Sequence, residues 1–444
     1  MPELKVEKLA PGCMGLARLN GEVLFLPESL PDETVRVELL ERKKGVRTAR
    51  ILEVISPSPW RVSPDCPFAK DCGGCDFIHV HPDKALQLKS DAALGELADG
   101  YKLPIELVAS PLSNHYRSRA TLHLGLNQQG LMSAGFYNSK RQLVEFSSCG
   151  LLRPELNQLS GSLKSWAAAL PRAAAGLEAA VIAGLSPDEL AVVFSPAPPK
   201  KESDPSRHKK PAAKLPECLW PELNRLARLE PGLIIAARPF FGAPPKAVYP
   251  SRLPSVTVAD WPDWNIKLKA APGGFTQVNH FINRLMVEKI RDAALPLLKP
   301  GGRALDLYAG LGNISLPLHQ AGFTVSMVEQ APESLKLARE NSKGLPGFNI
   351  IGEPTEKALK HLRQKGEKFD LVVLDPPRSG AKDLAVDLAA LSPAMIIYIA
   401  CHPSVLSRDL PAFISLGYKL ETLTSFDMFP RTSHLEAMAV LKRL

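Results

Sequence analysis

The chain opens with short runs in which apolar and polar positions alternate, interrupted every few residues by Gly, Pro or Asp. Val23–Leu26, Thr34–Leu40 and Thr48–Val54 read as strands on that period of two. Several short strands so spaced predict a small closed barrel over residues 1–57. Near residues 82–98 the period lengthens, with Leu86, Ala93, Leu94 and Leu97 at helical spacing. Alternation returns in a hairpin, Arg117–Leu126 followed by Leu131–Tyr137. Residues 195–216 have no period and are rich in proline and charge, which predicts a flexible insertion within a central region, 58–267. The last third changes character. Strand-like runs (RALDLYAG, FTVSMVE, FDLVVLDPP, AMIIYIAC) alternate with helical ones (APESLKLARENSK, KDLAVDLAALS), so βαβ units and a doubly wound parallel sheet are expected over 268–444.

A chain of 444 residues has room for two or three such domains. No apolar run approaches the length of a bilayer, and MPELKVEKLAP lacks the apolar stretch of a secretory signal, so the cytoplasm is the expected location. Lys and Arg number 54 against 46 acidic residues, a net charge of +8, which favours a polyanionic partner over a membrane or an acidic protein. Arg36, Arg42, Lys43, Lys44, Arg47 and Arg50 concentrate on one hairpin of the barrel, either a face for single-stranded nucleic acid or a solvated tip. Arg117, Arg119, Lys140 and Arg141 either line an RNA path or face solvent.

The seven cysteines are an odd number in a large chain, which argues against a disulfide framework and for metal or catalytic use. Cys66, Cys72 and Cys75 have the spacing C-x5-C-x2-C, and Cys149 in EFSSCGLL is the nearest candidate for a fourth ligand. Gly73 and Gly74 let the backbone curl so that the thiolates approach one centre. Four thiolates suit structural zinc or an iron–sulfur cluster, and a compact triplet with one distant cysteine is the commoner pattern for [4Fe–4S].

In the last third, polar residues stand where apolar runs stop. DLYAGLGN (306–313) follows one strand, and Gly310 and Gly312 permit a tight turn and close backbone approach to a ligand. Glu329 ends the next strand, nineteen residues after Gly310, where a carboxylate can accept hydrogen bonds from ribose hydroxyls. Ser315 stands where a third glycine would fall, which argues against a dinucleotide and suits S-adenosylmethionine, a ligand without phosphate. Asp375 ends a third strand and Cys401 a fourth, at the same carboxyl edge. Read alone, Cys401 suits a packed strand end better than an active site.

The first stretch, GLARLNGEVLFLPESLPDETVRVEL with its exit ISPSPWRVSPDC, resembles a TRAM domain, an OB-like RNA-binding barrel. Nearly the whole chain, the proline-rich segment excepted, resembles the S-adenosylmethionine-dependent RNA (uracil-5-)-methyltransferases, nearest to the iron–sulfur 23S rRNA type. The motifs are GGFTQVNHFIN (273–283), LDLYAGLGNISLPL (305–318), LDPPRSG (374–380), IACHPSVLSRDL (399–410) and DMFPRTSHLE (427–436). The resemblance implies an α/β fold: a class I, Rossmann-like methyltransferase domain with an N-terminal barrel and a central α+β iron–sulfur domain. It implies that Gln277, Tyr308, Gly310, Asn313, Glu329 and Asp375 meet the cofactor or target base. It makes Cys401 the nucleophile and Glu436 the base, and has Cys66, Cys72, Cys75 and Cys149 hold a [4Fe–4S] cluster.

The chemistry explains the residue types. Uracil C5 is a poor nucleophile, and a thiolate adding to C6 makes it enolate-like, so the thiol should have a lowered pKa and a carboxylate base should stand nearby. Phe275, Phe426 and Phe429 either stack on a flipped base or belong to the core. Two departures stand out. His402 follows the nucleophile where the family usually has Asn, either as a base or, the reading favoured here, as a structural replacement for the amide. The family's customary Asn beside the adenine is missing near Glu353–Glu356. Rivals are a tRNA T-loop uracil methyltransferase, a cytosine-5 RNA methyltransferase and a catalytically inert iron–sulfur RNA-binding protein. The cytosine-5 enzymes have a second cysteine in the catalytic domain, whereas 268–444 contains Cys401 alone.

Overall fold

The computed structural model describes residues 1–42, 45–197 and 213–444. The barrel is a six-stranded sheet spanning Glu3 to Ser56. Its strands Glu22–Leu26, Thr34–Leu39 and Arg47–Ser56 match the alternation, and Leu24, Leu26, Val35, Val37 and Ala49 fill its core. The expected free basic face is largely neutralised: Arg36 pairs with Glu3 and Glu53, Arg42 and Arg47 with Glu22, and Arg50 with Glu38. These exposed pairs are individually weak and exchangeable. Lys43 and Lys44 lie outside the described residues.

The central region carries a seven-stranded sheet, mixed in direction, backed by helices Pro154–Ala167 and Leu219–Leu229. Trp166, Leu163, Phe194 and Leu223 lie in the core between them. The hairpin is present as Arg119–Leu126 and Met132–Tyr137, while Ser195 and Pro196 end the ordered strand Leu190–Pro196 and do not start the insertion. Lys214 also bridges to Phe240, and the rest of the expected insertion, 198–212, lies outside the described residues.

The third sheet has eight strands: β1 Ile105–Val108, β2 Arg303–Leu307, β3 Thr324–Val328, β4 Phe348–Ile351, β5 Leu371–Leu374, β6 Met395–Ala400, β7 Tyr418–Phe426 and β8 Glu436–Arg443. Their order is β4-β3-β2-β5-β6-β8-β7-β1. β2 to β6 run parallel, and all but the edge strand β4 are almost continuously apolar, as strands buried on both faces must be. β8 inserts antiparallel between β6 and β7, which brings its first residue to the edge where the parallel strands end.

The sheet reaches beyond the expected boundary at 268. Val256–Trp261 pairs with Ile266–Ala270, and both pack into its core with the helix His280–Ala294. β1 and the helix α1, Pro82–Tyr101, also join it, because β7 would otherwise leave an unpaired edge and Leu94 and Leu97 an uncovered stripe. Among the described residues no helix is long and apolar enough to cross a membrane.

Candidate active site and cysteine cavity

The carboxyl edge of the sheet opens into a cavity whose lining includes Gln277, Tyr308, Gly310, Asn313 and Asp375. The turn after β2 builds one wall. Tyr308 has φ +61° and Gly310 φ +58°, left-handed values that glycine adopts freely and tyrosine only when its surroundings enforce them. The Gly310 N–H donates to Glu329 Oε2 at 3.0 Å, so the carboxylate at the end of β3 fixes this turn. Its other oxygen accepts from the N–H groups of Gln330 and Ala331 at 2.8 and 2.7 Å. Oε1 thus has both lone pairs engaged, while Oε2 keeps one with which Glu329 can accept from a hydroxyl. Burial raises the Tyr308 phenol, with Glu356 adding to the effect and the neighbouring Thr355 hydroxyl opposing it. The start of helix Thr355–Gln364 thus stands where the family's usual Asn is missing.

Several residues of this wall were not singled out from sequence. Asn283 and Asn313 exchange amide hydrogen bonds at 2.9 and 2.8 Å, tying helix His280–Ala294 to the turn after β2. Thr276 Oγ1 and His280 Nδ1 are buried without a partner, and both residues line the cavity. Burial and Arg153 lower the His280 pKa to about 4, so the imidazole is neutral. Asp306 is deeply buried, takes the Ser315 hydroxyl at 2.5 Å on one oxygen and leaves the other unpartnered. Burial raises its pKa to about 7 despite the Ser315 bond, with Asp375 adding to the rise. The available signal was spacing: Asn279 caps the helix through the Ile282 N–H, and Asn283 lies one turn on.

Beyond Asp375 the same edge presents Cys401 and Glu436. Ala400 pairs with Ala437 and Phe426 with Glu436, so Cys401 and Glu436 meet across adjacent strand ends. Glu436 is buried, and burial followed by repulsion from Asp375 holds its pKa well above the usual carboxylate range. Burial likewise raises Asp375. The Cys401 thiol is raised, not lowered: burial is the main cause, Glu436 and Asp375 add to it, and Arg378 opposes. A thiol facing two carboxyls loses its proton only against their charge. His402 is exposed, with Nδ1 2.7 Å from Ser404 Oγ at the start of helix Ser404–Ile414. Phe426 is fully buried and belongs to the core, Phe429 packs against it, and Phe275 is 73% exposed at the cavity mouth. Arg119 lies over the Phe275 ring at 5.4 Å and donates to the carbonyls of Gly274 and Thr276, so it braces this loop and is not a free RNA contact.

Cys66, Cys72, Cys75 and Cys149 line a second, largely apolar cavity, with Phe136, Phe146 and Arg431 also in its wall. Cys13 and Cys218 lie elsewhere. Gly73 has φ +66°, the left-handed turn that brings Cys72 and Cys75 round. Burial raises Cys75 to about 12 and also raises Cys72, and in both the other cysteines of the cavity add to the rise. The sulfurs surround a space and do not converge on a point: among the described residues no group of three or more His, Cys, Asp or Glu has the arrangement of a metal-ion site.

Comparison with known proteins agrees with this architecture. Residues 258–444 match the family described as tRNA (Uracil-5-)-methyltransferase. The 23S rRNA (uracil(1939)-C(5))-methyltransferase RlmD of Alkalilimnicola ehrlichii is 32% identical, over 99% of this chain and 96% of its own length. The RlmD of Shewanella sediminis is also 32% identical, over 99% and 95%. That of Dechloromonas aromatica is 30% identical over the full length of both chains. Among solved structures, the Pyrococcus abyssi tRNA (uracil-54, C5)-methyltransferase in complex with S-adenosyl-L-homocysteine shares the fold, with a TM-score of 0.70 at 21% identity over 99% of this chain and 100% of that one. The chain belongs to the S-adenosylmethionine-dependent RNA (uracil-5-)-methyltransferase family.

Proposed function

We propose that the protein methylates C5 of a uridine in 23S rRNA through a covalent Cys401–C6 adduct. The observation that carries this reading is the meeting of Asp375, Cys401 and Glu436 at one sheet edge, next to a cavity that shares Asp375. The full-length relatives support rRNA as the substrate, and the tRNA reading is not favoured. Gln277, Tyr308, Gly310, Asn313, Glu329 and Asp375 are read as the S-adenosylmethionine contacts, and Phe275 as a surface for the flipped base.

When bound, S-adenosylmethionine supplies an electrophilic methyl group and a positive charge. Cys401 loses its proton to water and its sulfur bonds to C6, which moves the C5–C6 electron pair to C5. That pair forms the bond to the methyl carbon as the methyl–sulfonium bond breaks, leaving S-adenosylhomocysteine. Glu436 then takes the C5 proton, the double bond re-forms and the Cys401 thiolate leaves. Burial raises both Asp375 and Glu436, and Asp375 repels the charged form of Glu436, which makes Glu436 a stronger base than an ordinary carboxylate.

The four-cysteine cavity fits a [4Fe–4S] cluster. Four sulfurs around a space suit a polynuclear group, whereas a single zinc would draw all four to about 2.3 Å from one point. Such a cluster would neutralise the thiolates and close the 66–75 loop, and no chemical step requires it. The N-terminal sheet is read as a TRAM-type RNA-binding barrel. The test is incubation of the protein with methyl-labelled S-adenosylmethionine and 23S rRNA or tRNA, followed by nucleoside analysis. We expect 5-methyluridine from the rRNA; methylcytidine, or no incorporation into any RNA, overturns the reading.

A further inference from the structure

The loop Asp427–Leu435 delivers Glu436 to the reactive edge, and much of its anchoring comes from a distant segment, the one that carries the cysteine triplet. Arg431 donates from both terminal nitrogens to both oxygens of Asp65, at 2.6 and 2.7 Å. The Arg431 carbonyl accepts the Phe77 N–H at 3.1 Å. Ser433 donates its N–H to Asp76 Oδ1 at 2.7 Å and its hydroxyl to Oδ2 at 2.5 Å. Asp65 immediately precedes Cys66 and Asp76 immediately follows Cys75, so the carboxylates that bracket the triplet grip the loop just before Glu436.

Two further features point to a device and not a chance surface contact. Arg431 has φ +66°, a conformation a non-glycine residue keeps only when its surroundings enforce it, and the bidentate Asp65 pair does so. Arg431 also lines the cysteine cavity itself, so one side chain touches both the cavity and the latch. Ligation of Cys66 and Cys75 to a common group would fix Asp65 and Asp76 relative to each other, and with them both ends of the grip.

We infer that Asp65 and Asp76 are positioning residues for Glu436, and that occupancy of the four-cysteine cavity sets how firmly they hold the 427–435 loop. This rests on Glu436 acting as the base and on the cavity holding a cluster. A displacement of a catalytic group by about 1 Å costs roughly 100-fold in rate, which sets the scale of the effect.

The test uses the full-length protein, loaded with iron and sulfide or stripped of them, with Asp65→Ala, Asp76→Ala, Asp76→Asn and Glu436→Gln. Three quantities are read: kcat and KM for methyl transfer to an rRNA fragment, the fraction trapped as covalent RNA adduct, and hydrogen–deuterium exchange of residues 427–435. In Asp76→Ala we expect kcat to fall about 100-fold with KM changed only a few-fold. Adduct should accumulate as in Glu436→Gln, and exchange of the loop should rise. Asp76→Asn keeps an acceptor for the Ser433 N–H and should recover most of the loss. Iron removal alone should raise exchange in the loop. Should Asp76→Ala fail to fold, Ser433→Ala removes one bond of the same grip and should give a smaller shift of the same sign. Unchanged loop exchange and unchanged kcat in Asp65→Ala and Asp76→Ala would overturn the positioning role, and exchange indifferent to iron would overturn the coupling. If Glu436→Gln itself neither slows turnover nor accumulates adduct, the base assignment fails, while the exchange data still judge the latch.

Discussion

Cys401 and Cys75 are both partly buried thiols raised by burial, yet their second neighbours differ in kind. Cys401 is pushed further by Glu436 and Asp375, carboxyls whose own pKa values are raised. Cys75 is pushed by Cys149, Cys72 and Cys66, groups of its own type. At the Cys401 edge a thiol stands beside two carboxyls, so a proton can pass between unlike groups without changing the site's net charge. In the cavity no member can relieve the others, and all four sulfurs become anionic together only with an imported cation. One arrangement suits turnover and the other suits permanent ligation.

That contrast breaks most visibly under substitution of the sulfurs. Cys401→Ala should lower methyl transfer by about 10⁴-fold or more and abolish the covalent RNA adduct, while iron and sulfide per chain stay unchanged. Cys75→Ser should do the reverse, losing iron with the Cys401 adduct still detectable. Iron loss in Cys401→Ala, or full iron in Cys75→Ser, would remove the distinction between the two regions.

A smaller effect is expected at Lys89, whose ammonium lies between the regions without touching a sulfur. It is fully buried on α1, donates to Asp427 at 2.5 Å and also reaches the carbonyls of Phe429 and His434 at 3.3 and 3.2 Å. Lys89→Ala leaves Asp427 without its partner and should cost about 3 kcal/mol of stability in urea unfolding. Iron content of that variant equal to that of the parent protein would mark the cysteine cavity as independently stable.

The smallest effect is the response to pH. A raised thiol is protonated at neutral pH, and raised carboxyls release their proton only as pH climbs, so both requirements at the reactive edge improve in the same direction. Alkylation of Cys401 by iodoacetamide, and kcat/KM with it, should increase by up to about tenfold per pH unit between pH 7 and 9, with no decline above pH 7. A bell centred below neutrality would mean that positive charge, not the carboxyls, governs the thiol.

Much of this was legible from residue order. The parallel strands, the Gly310 turn and the strand-end positions of Glu329, Asp375 and Cys401 follow from apolar runs that stop at polar residues, a local signal. What escaped is long-range. Ion pairing of the barrel arginines depends on acidic residues of neighbouring strands, and the role of Arg119 on a loop some 155 residues away. The raised Cys401 thiol follows from Glu436 entering the sheet antiparallel next to β6. Asp65 and Asp76 carry no periodic signature, because their partners Arg431 and Ser433 lie more than 350 residues on.

The pairing of β1 with β7 has a practical corollary. Thr424 and Glu106, in register on these two strands and hydrogen-bonded, are 318 residues apart in the chain. A fragment cut at 258, where the family match begins, would keep the cavity lined by Gln277, Tyr308 and Asp375, together with Cys401 and Glu436. It would lose α1 and β1, baring the Leu423–Phe426 edge and the apolar surface that Leu94 and Leu97 cover. Such an edge recruits the nearest free strand, and in a tube of excised domains that strand belongs to another copy.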